Sequence, residues 1–426
     1  GSCFRLEVTM SLTSLMRILL TRSFKPFEFR ATYSNKLDYT MEEELGLYVH
    51  IPFCRSLCSF CPYCKVIYDE CLAREYKNAL LKEIEIVGKQ SKSPKKVTSL
   101  YFGGGSPALM VKEFKDIIQT LKKYFIITQR IGVELHPDDI TKANLEELKE
   151  AGVTMISVGI QSFHKQCLSA LGRKEMDFEK LFSLIKEVDF EVVDVDLIFA
   201  IPQQTKEVLL ADIEKAFFLG ATQISTYPFI DFTFANNRYK PLPEKEKKMM
   251  LKAINDYCYN TGHVRTSVWT FAKPNKEKYS SITRDNFLGF GISATTLLRE
   301  QFKINTFSLE EYIKRIKNNQ LPTSLTLDFS LRQRAVYYLF WQAYSMKIYP
   351  DEFAGFFGLS LKKLFGFELW FCEKLGFIKT ENNYYQLTDK GAYYYHFIEQ
   401  AYTTAYIDKM WHISRQIAFP EKIVLS

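Results

Sequence analysis

Three cysteines set the chemistry available to this chain. Cys54, Cys58 and Cys61 stand at C-x3-C-x2-C spacing in YVHIPFCRSLCSFCPYCK. Three thiolates on one tight loop can hold three irons of a cubane 4Fe–4S cluster, whereas full cysteine ligation takes four. The remaining iron keeps an open position, which is where a metal site does chemistry. The amino and carboxylate groups of S-adenosylmethionine can chelate that iron. One electron from the cluster then cleaves the nearby sulfonium bond and leaves a 5′-deoxyadenosyl radical. Two other readings compete. Cys58, Cys61 and Cys64 also spell C-x2-C-x2-C, so a zinc knuckle is conceivable, although zinc usually wants two separated ligand pairs and the sequence offers no second pair. Buried structural thiols are the other. Cys64 is either an unliganded neighbour or a residue that tunes the cluster's surroundings. Cys71, Cys3, Cys167, Cys258 and Cys372 read as core residues.

A second motif is YFGGGSP, residues 101–107. Consecutive glycines let main-chain groups approach a ligand closely, here the amino or carboxylate group of a methionine moiety. No Gly-Lys-Ser/Thr ending follows, so this is not a phosphate-binding loop. LGFGISATT carries two more glycines, with a simple turn as the default reading.

Both motifs need elements to position them. Short β-rich runs cover Gly46–Ile51, Ser99–Phe102, Ile131–Leu135, Thr154–Ile160, Val192–Ala200 and Gln223–Pro228. Helical patterns alternate with them, and stretches such as ITKANLEELKEAG start on a Thr or Asp cap. Strand and helix repeated six times predict a parallel sheet, as an open sheet or a partial (β/α)6 barrel. In either, chemistry sits at the C-terminal strand ends, which nominates Glu134, Gln161 and Asp196. After Pro241 the pattern changes. The last ~110 residues read as a separate module of helices Leu331–Tyr344, Pro350–Phe357 and Leu361–Leu375 followed by a hairpin, a winged-helix pattern. The predicted division is an extension over 1–44, the partial barrel over 45–240, a barrel extension on the substrate side over 241–320, and the winged-helix-like domain over 321–426.

Composition narrows the class. The chain has 426 residues, 47% hydrophobic and 25% charged, which excludes disorder; 19 Gly and 14 Pro exclude collagen-like sequence. The formal charge of +7 is mild for this size and demands no nucleic acid. No apolar run of about 18 uncharged residues exists, so no membrane span is expected. Clustered thiols point to a reducing compartment, hence a cytoplasmic protein, and no signal peptide is expected. The 35 Phe and 25 Tyr serve packing or a flat hydrophobic ligand.

LYVHIPFCRSLCSFC, LYFGGGSPALM, VELHPDDIT, ISVGIQSFHKQCLSALGR, VDLIFAIPQQT and LGFGISATT run in order from Leu45 to about Leu298. On these the chain resembles the radical S-adenosylmethionine superfamily. More narrowly it is similar to the oxygen-independent coproporphyrinogen III oxidase group, with its heme-chaperone and heme-processing relatives. The resemblance implies Cys54, Cys58 and Cys61 as cluster ligands. It implies Tyr48, Gly104 and Glu134 as contacts of a first S-adenosylmethionine, and Phe60, Gly105, Ser106, Gln161, Arg173 and Asp196 as contacts of a second. It also implies a flavodoxin or ferredoxin as electron donor. The oxidase loop carries a fourth cysteine two residues after the third; here Pro62 and Tyr63 intervene, which sets strict coproporphyrinogen oxidation in doubt.

Three functions stay open. One is a radical enzyme acting on a porphyrin or heme with two S-adenosylmethionines, by decarboxylation, methyl or methylene transfer, or heme degradation. The second is a radical methyltransferase or cyclopropanase with another metabolite as substrate. The third is a heme chaperone. Propionates want Arg or Lys, and Arg265, Lys273, Lys278 and Arg284 cluster after the sheet; a solvated basic loop is the alternative. His50, His136, His164, His263, His396 and His412 are candidate heme ligands, each more often structural. The third helix of the winged pattern carries few base-reading side chains, so no DNA binding is expected.

Overall fold

The computed structural model describes residues 10–128, 130–235, 237–279 and 285–426. Cys3 and Arg284 lie outside the described residues.

The six expected runs form parallel strands that neighbour one another in chain order: Glu44–Ile51, Lys95–Gly104, Ile131–Leu135, Met155–Gln161, Val192–Phe199 and Gln223–Pro228. Adjacent members are parallel throughout. Their near-continuous burial follows from helices packing behind them, as a parallel sheet requires. The crossover helices begin where the caps stand. Asp69, Thr141, Asp177 and Thr205 each accept from a backbone N–H of the first turn. Among the described residues the hydrogen-bonded path does not return on itself, so the arrangement is a partial barrel.

Beyond the first strand the same sheet continues. Phe287–Phe290 runs parallel to Glu44–Ile51, and Thr295–Leu297, Gln301–Asn305 and Thr323–Asp328 follow antiparallel. Phe27–Arg30 then pairs with Thr323–Asp328, and Lys422–Leu425 pairs with Phe27–Arg30. Strands from the N-terminal 44 residues and from the chain's end therefore lie in one sheet with the barrel. The expected break at 320/321 coincides with no gap in that sheet.

Helices Leu331–Tyr344, Pro350–Phe357 and Leu361–Lys374 pack with a small antiparallel sheet of Lys347–Ile348, Ile378–Thr380 and Tyr385–Leu387. This is the expected winged-helix pattern with one additional short strand. It is less separate than expected, because Tyr338, Phe353 and Leu369 join the same buried cluster as the barrel's Val49 and Phe102. Its last helix, Asp389–Tyr402, passes through a π-helical turn at Thr403–Ile407 into Asp408–Gln416. No helix among the described residues is long and apolar enough to cross a membrane.

Candidate functional site

The first strand delivers Tyr48 and His50 to its inner face, two residues apart, and then turns into the cysteine loop. Tyr48 Oη lies 3.1 Å from His50 Nδ1, and His50 Nε2 lies 2.9 Å from the Cys64 carbonyl. Burial pulls the His50 imidazole down to about 4, so it is a neutral strut rather than a charge. Cys54, Cys58 and Cys61 are half-buried on the loop, whereas Cys64 is buried with its thiol 3.6 Å from the Phe307 carbonyl. That contrast separates three available thiols from one packed in the core. Burial would raise the Cys58 thiol, but His136 and Arg173 beside it outweigh burial and bring it down to about 7. Burial holds Cys54 up at about 11. Among the described residues no three His, Cys, Asp or Glu side chains form a single-ion shell. A cubane asks for something else, because its thiolates attach to separate irons and need not converge on one point.

The glycines after the second strand serve the chain itself. Gly104 has φ +118°, and a Cβ there would meet His50 Cε1 at 2.7 Å; at Gly105 it would meet the Phe53 carbonyl oxygen at 2.5 Å. Gly105 and Ser106 donate backbone hydrogen bonds to Ile51 and Phe53 at 2.7 and 2.6 Å. The glycines thus approach the start of the cysteine loop closely and clamp it. Gly291 of LGFGISATT behaves alike: its Cβ would fall 2.2 Å from Tyr76 Oη. Gly103 leaves room for two side chains named above, since a Cβ there would lie 2.9 Å from Glu134 Oε2 and 3.0 Å from Tyr48 Oη.

A cavity of about 1050 Å³ opens over the strand ends. Phe60, Glu134, Gln161 and Asp196 line it, while Tyr48, Gly104, Gly105, Ser106, Arg173 and the three cysteines lie outside its lining. Two of the latter are tied to it. Gly104 N–H points to Glu134 Oε2 at 3.4 Å, and the Arg173 guanidinium sits 5.5 Å from the Phe60 ring centroid. Arg173 donates to the Gly159 carbonyl at 2.8 Å and keeps Nε buried with no partner among the described residues. Gln161 reaches its place through a positive φ of +69° at a register shift that ends the fourth strand. Backbone strain of that kind recurs at functional sites.

The cavity floor holds Asp194, which the motifs did not single out, beside Asp196. Asp194 and Asp196 alternate on one strand face, and Ser157 Oγ lies 3.0 Å from a carboxylate oxygen of each. One serine proton cannot fully satisfy both, which favours a proton shared by the pair. Asp194 also accepts from Ser225 at 3.0 Å. Burial and the Asp196 charge push Asp194 far up, burial lifts Asp196 to about 6, and burial with the Asp196 charge lifts Glu134 to about 7. Pairing in VDVDLI signals Asp194 in retrospect, because i and i+2 share a strand face.

Aromatic walls rise from this floor: Tyr227, Trp269, Tyr344, Trp341, Tyr402 and Trp411 all line the cavity. Pro62 and Tyr63, the residues that depart from the oxidase pattern, line it too. Tyr63 rests 5.9 Å from Trp411, and Arg415 donates to the Pro62 carbonyl. The cysteine loop is thereby docked on the chain's last helix. None of the candidate heme-ligand histidines lines the cavity. His396 bonds Trp269 Nε1 at 3.1 Å, His263 stacks on Phe217 at 3.8 Å, and His136 caps Asp138. Of the basic cluster, Lys278 and Arg265 reach the lining and Lys273 does not. Arg265 is already committed to the Val268 carbonyl at 2.7 Å. Lys347, from the winged-helix sheet, joins Lys278 at the rim.

Residues 48–216 match the radical SAM superfamily model. Over 362 residues the chain is 28% identical to the heme chaperone HemW of Bacillus subtilis, covering 81% of this chain and 95% of the relative. It is 27% identical over 389 residues to the oxygen-independent coproporphyrinogen III oxidase of Escherichia coli, covering 82% and 83%. The solved structure of coproporphyrinogen III oxidase HemN from Escherichia coli superposes with a TM-score of 0.74 at 20% identity, over 91% of this chain and 98% of that one. The matched segment, the relatives and the shared fold together support a likeness to the coproporphyrinogen III oxidase-like group of radical SAM proteins. The radical SAM family implies a 4Fe–4S cluster and S-adenosylmethionine. The residues present fit both: three half-buried thiols on one loop suit the cluster, and the carboxyl floor with the unpartnered Arg173 Nε suits a ligand carrying an ammonium and a carboxylate.

Proposed function

We propose that this radical SAM protein is an enzyme that modifies a porphyrin- or heme-type substrate, with Cys54, Cys58 and Cys61 holding the cluster. When bound, the cluster supplies one electron, drawn from a flavodoxin or ferredoxin, for cleavage of S-adenosylmethionine to a 5′-deoxyadenosyl radical. The observation that carries the reading is the cavity of about 1050 Å³, acidic at its floor and aromatic in its walls, bordered by Phe60, Pro62 and Tyr63 of the cysteine loop. Its volume and flat walls suit a macrocycle with a nucleoside beneath it.

The chain's own groups have separable tasks. Glu134 accepts from a ribose diol beside Tyr48 and Gly104. Asp196, held by Ser157, accepts from an ammonium; Arg173 donates to a carboxylate, and Gln161, Phe60, Gly105 and Ser106 complete a second nucleoside site. The aromatic walls exclude water, which protects a reactive carbon radical from competing reactions. Lys278 and Lys347 attract substrate propionates at the rim. Modification then takes the form of decarboxylation, methyl or methylene transfer, or ring opening.

The test is anaerobic. Cluster-reconstituted protein with reductant, S-adenosylmethionine and either heme or coproporphyrinogen is expected to release 5′-deoxyadenosine only when the tetrapyrrole is present. Mass analysis should then find a methylated, decarboxylated or opened ring. A second reading, heme trafficking, is favoured by the HemW likeness. It predicts stoichiometric heme binding without nucleoside release. Release elicited only by a substrate that is not a tetrapyrrole would move the assignment to a radical methyltransferase or cyclopropanase.

A further inference from the structure

Tyr279 is held more firmly than its place after an irregular stretch would lead one to expect. Gln223, itself buried, clamps its backbone from both sides: Gln223 Nε2 donates to the Tyr279 carbonyl at 2.9 Å, and Tyr279 N–H donates to Gln223 Oε1 at 3.1 Å. The phenol ring meets the Tyr101 ring edge-on at 5.1 Å. Gly132 makes the space, because a Cβ there would lie 2.6 Å from Tyr101 and 2.8 Å from Tyr279. The residue is 8% exposed, and Met155, Val192 and Tyr48 complete its packing.

Its hydroxyl has no such purpose. Tyr279 lines the cavity, and its Oη is buried with no hydrogen-bond partner among the described residues. A phenylalanine would fill the same clamp without leaving a polar atom orphaned, and an unsatisfied buried hydroxyl is costly. After burial, Glu134, Tyr101, Asp196 and Asp194 all push its phenol up, so it stands near the carboxyls of the floor. Burial keeps the phenol protonated, so it can donate as well as accept. A carboxyl-lined floor repels propionates and favours a cationic ligand rich in hydroxyl and amino groups.

We propose that the Tyr279 hydroxyl is a hydrogen-bond partner of the nucleoside sulfonium ligand bound at the cavity floor, and not of the tetrapyrrole above it. The inference rests on the radical SAM reading of the site. It makes Tyr279 a binding residue that only the structure reveals, since in sequence it lies within the basic cluster, between Lys278 and Arg284.

The test is Tyr279→Phe in cluster-reconstituted protein, which keeps the ring and removes one oxygen. Affinity for S-adenosylmethionine and S-adenosylhomocysteine, read by equilibrium dialysis, should fall about tenfold, the worth of a lost hydrogen bond. Affinity for coproporphyrin III, read by absorbance titration, should not move. The melting temperature should stay or rise, because an orphaned hydroxyl is removed. Equal nucleoside affinity in both proteins overturns the inference and leaves the radical reading standing. So does a weakened affinity for porphyrin alone. A variant that fails to fold or melts several degrees lower also overturns it, since the hydroxyl would then be structural. Unaltered protein that binds no S-adenosylmethionine overturns the radical reading and this inference with it.

Discussion

At the floor of the cavity stand Glu134, Asp194 and Asp196, set by strand alternation, with Ser157 tying the two aspartates together. At the rim stand Lys278, from the segment after the sheet, and Lys347, from the winged-helix sheet. The floor's carboxyls are buried and crowd one another, which raises their affinity for protons. The rim is partly solvated, and Lys278 is held down first by burial and then by the like charge of Lys347. Glu277, next in sequence to Lys278, is bonded to Arg130 at 3.3 Å. On the proposed function, a cavity acidic below and basic above would orient a pair of ligands, the cationic nucleoside toward the floor and the polyanionic macrocycle toward the rim.

The comparison breaks most sharply at the cysteine loop. Cys58→Ala is expected to bring S-adenosylmethionine cleavage below detection while coproporphyrin III binding at the walls and rim persists. Nucleoside release at an undiminished rate would remove every radical reading. Next is Asp196→Asn, which keeps the Ser157 bond and removes the charge. Nucleoside affinity should fall roughly 10–100-fold, as for a hydrogen bond to a charged partner, with porphyrin affinity unmoved.

Acidity probes the same floor without mutation. Burial raises Asp196 to about 6 and Glu134 to about 7, so both gain protons as pH falls through that window. Attraction for an ammonium is therefore full above it and lost below it. Nucleoside affinity in the unaltered protein should fall from pH 8 to pH 5.5, and Asp196→Asn should flatten the lower part of that fall. An affinity independent of pH would mean that the carboxyls do not face the ligand.

The sequence made the floor partly legible and the rim hardly at all. Glu134, Gln161 and Asp196 could be nominated because parallel strands aim chemistry at one end, and that end follows from alternation alone. Asp194 was readable by the same alternation. The glycines were legible as close approaches but not as to what, because a φ of +118° at Gly104 accommodates the chain's own His50 as well as a ligand. Lys347 was hidden because its partner across the cavity is far away in sequence. The barrel read well from local periodicity. That both chain ends would add strands to it did not, since Phe27–Arg30 and Lys422–Leu425 are short and pair across almost the full length of the chain.

The rim supplies a smaller effect. Lys278→Gln with Lys347→Gln should weaken coproporphyrin III about five- to tenfold, the scale of one or two partly solvated charge pairs. It should also reduce the salt dependence of that binding and leave nucleoside affinity alone. Equal losses for both ligands would erase the distinction between floor and rim.

The smallest expected change lies behind the first strand, in the frame that keeps floor and rim in register. Glu83 is buried and accepts from Gly291 N–H at 2.7 Å and Tyr312 Oη at 2.8 Å, with Asn305 Nδ2 at 3.4 Å. Burial raises its carboxyl to about 8. A folded pKa above the unfolded value contributes stability that is present at low pH and is lost as pH rises toward 8. Glu83→Gln imitates the protonated carboxyl at every pH. It should raise the melting temperature by a few degrees near pH 8, about 1 kcal/mol at this chain length, and change it little near pH 4. A variant that melts lower at both pH values would mean that the three donors hold a carboxylate, and that the frame depends on a buried negative charge.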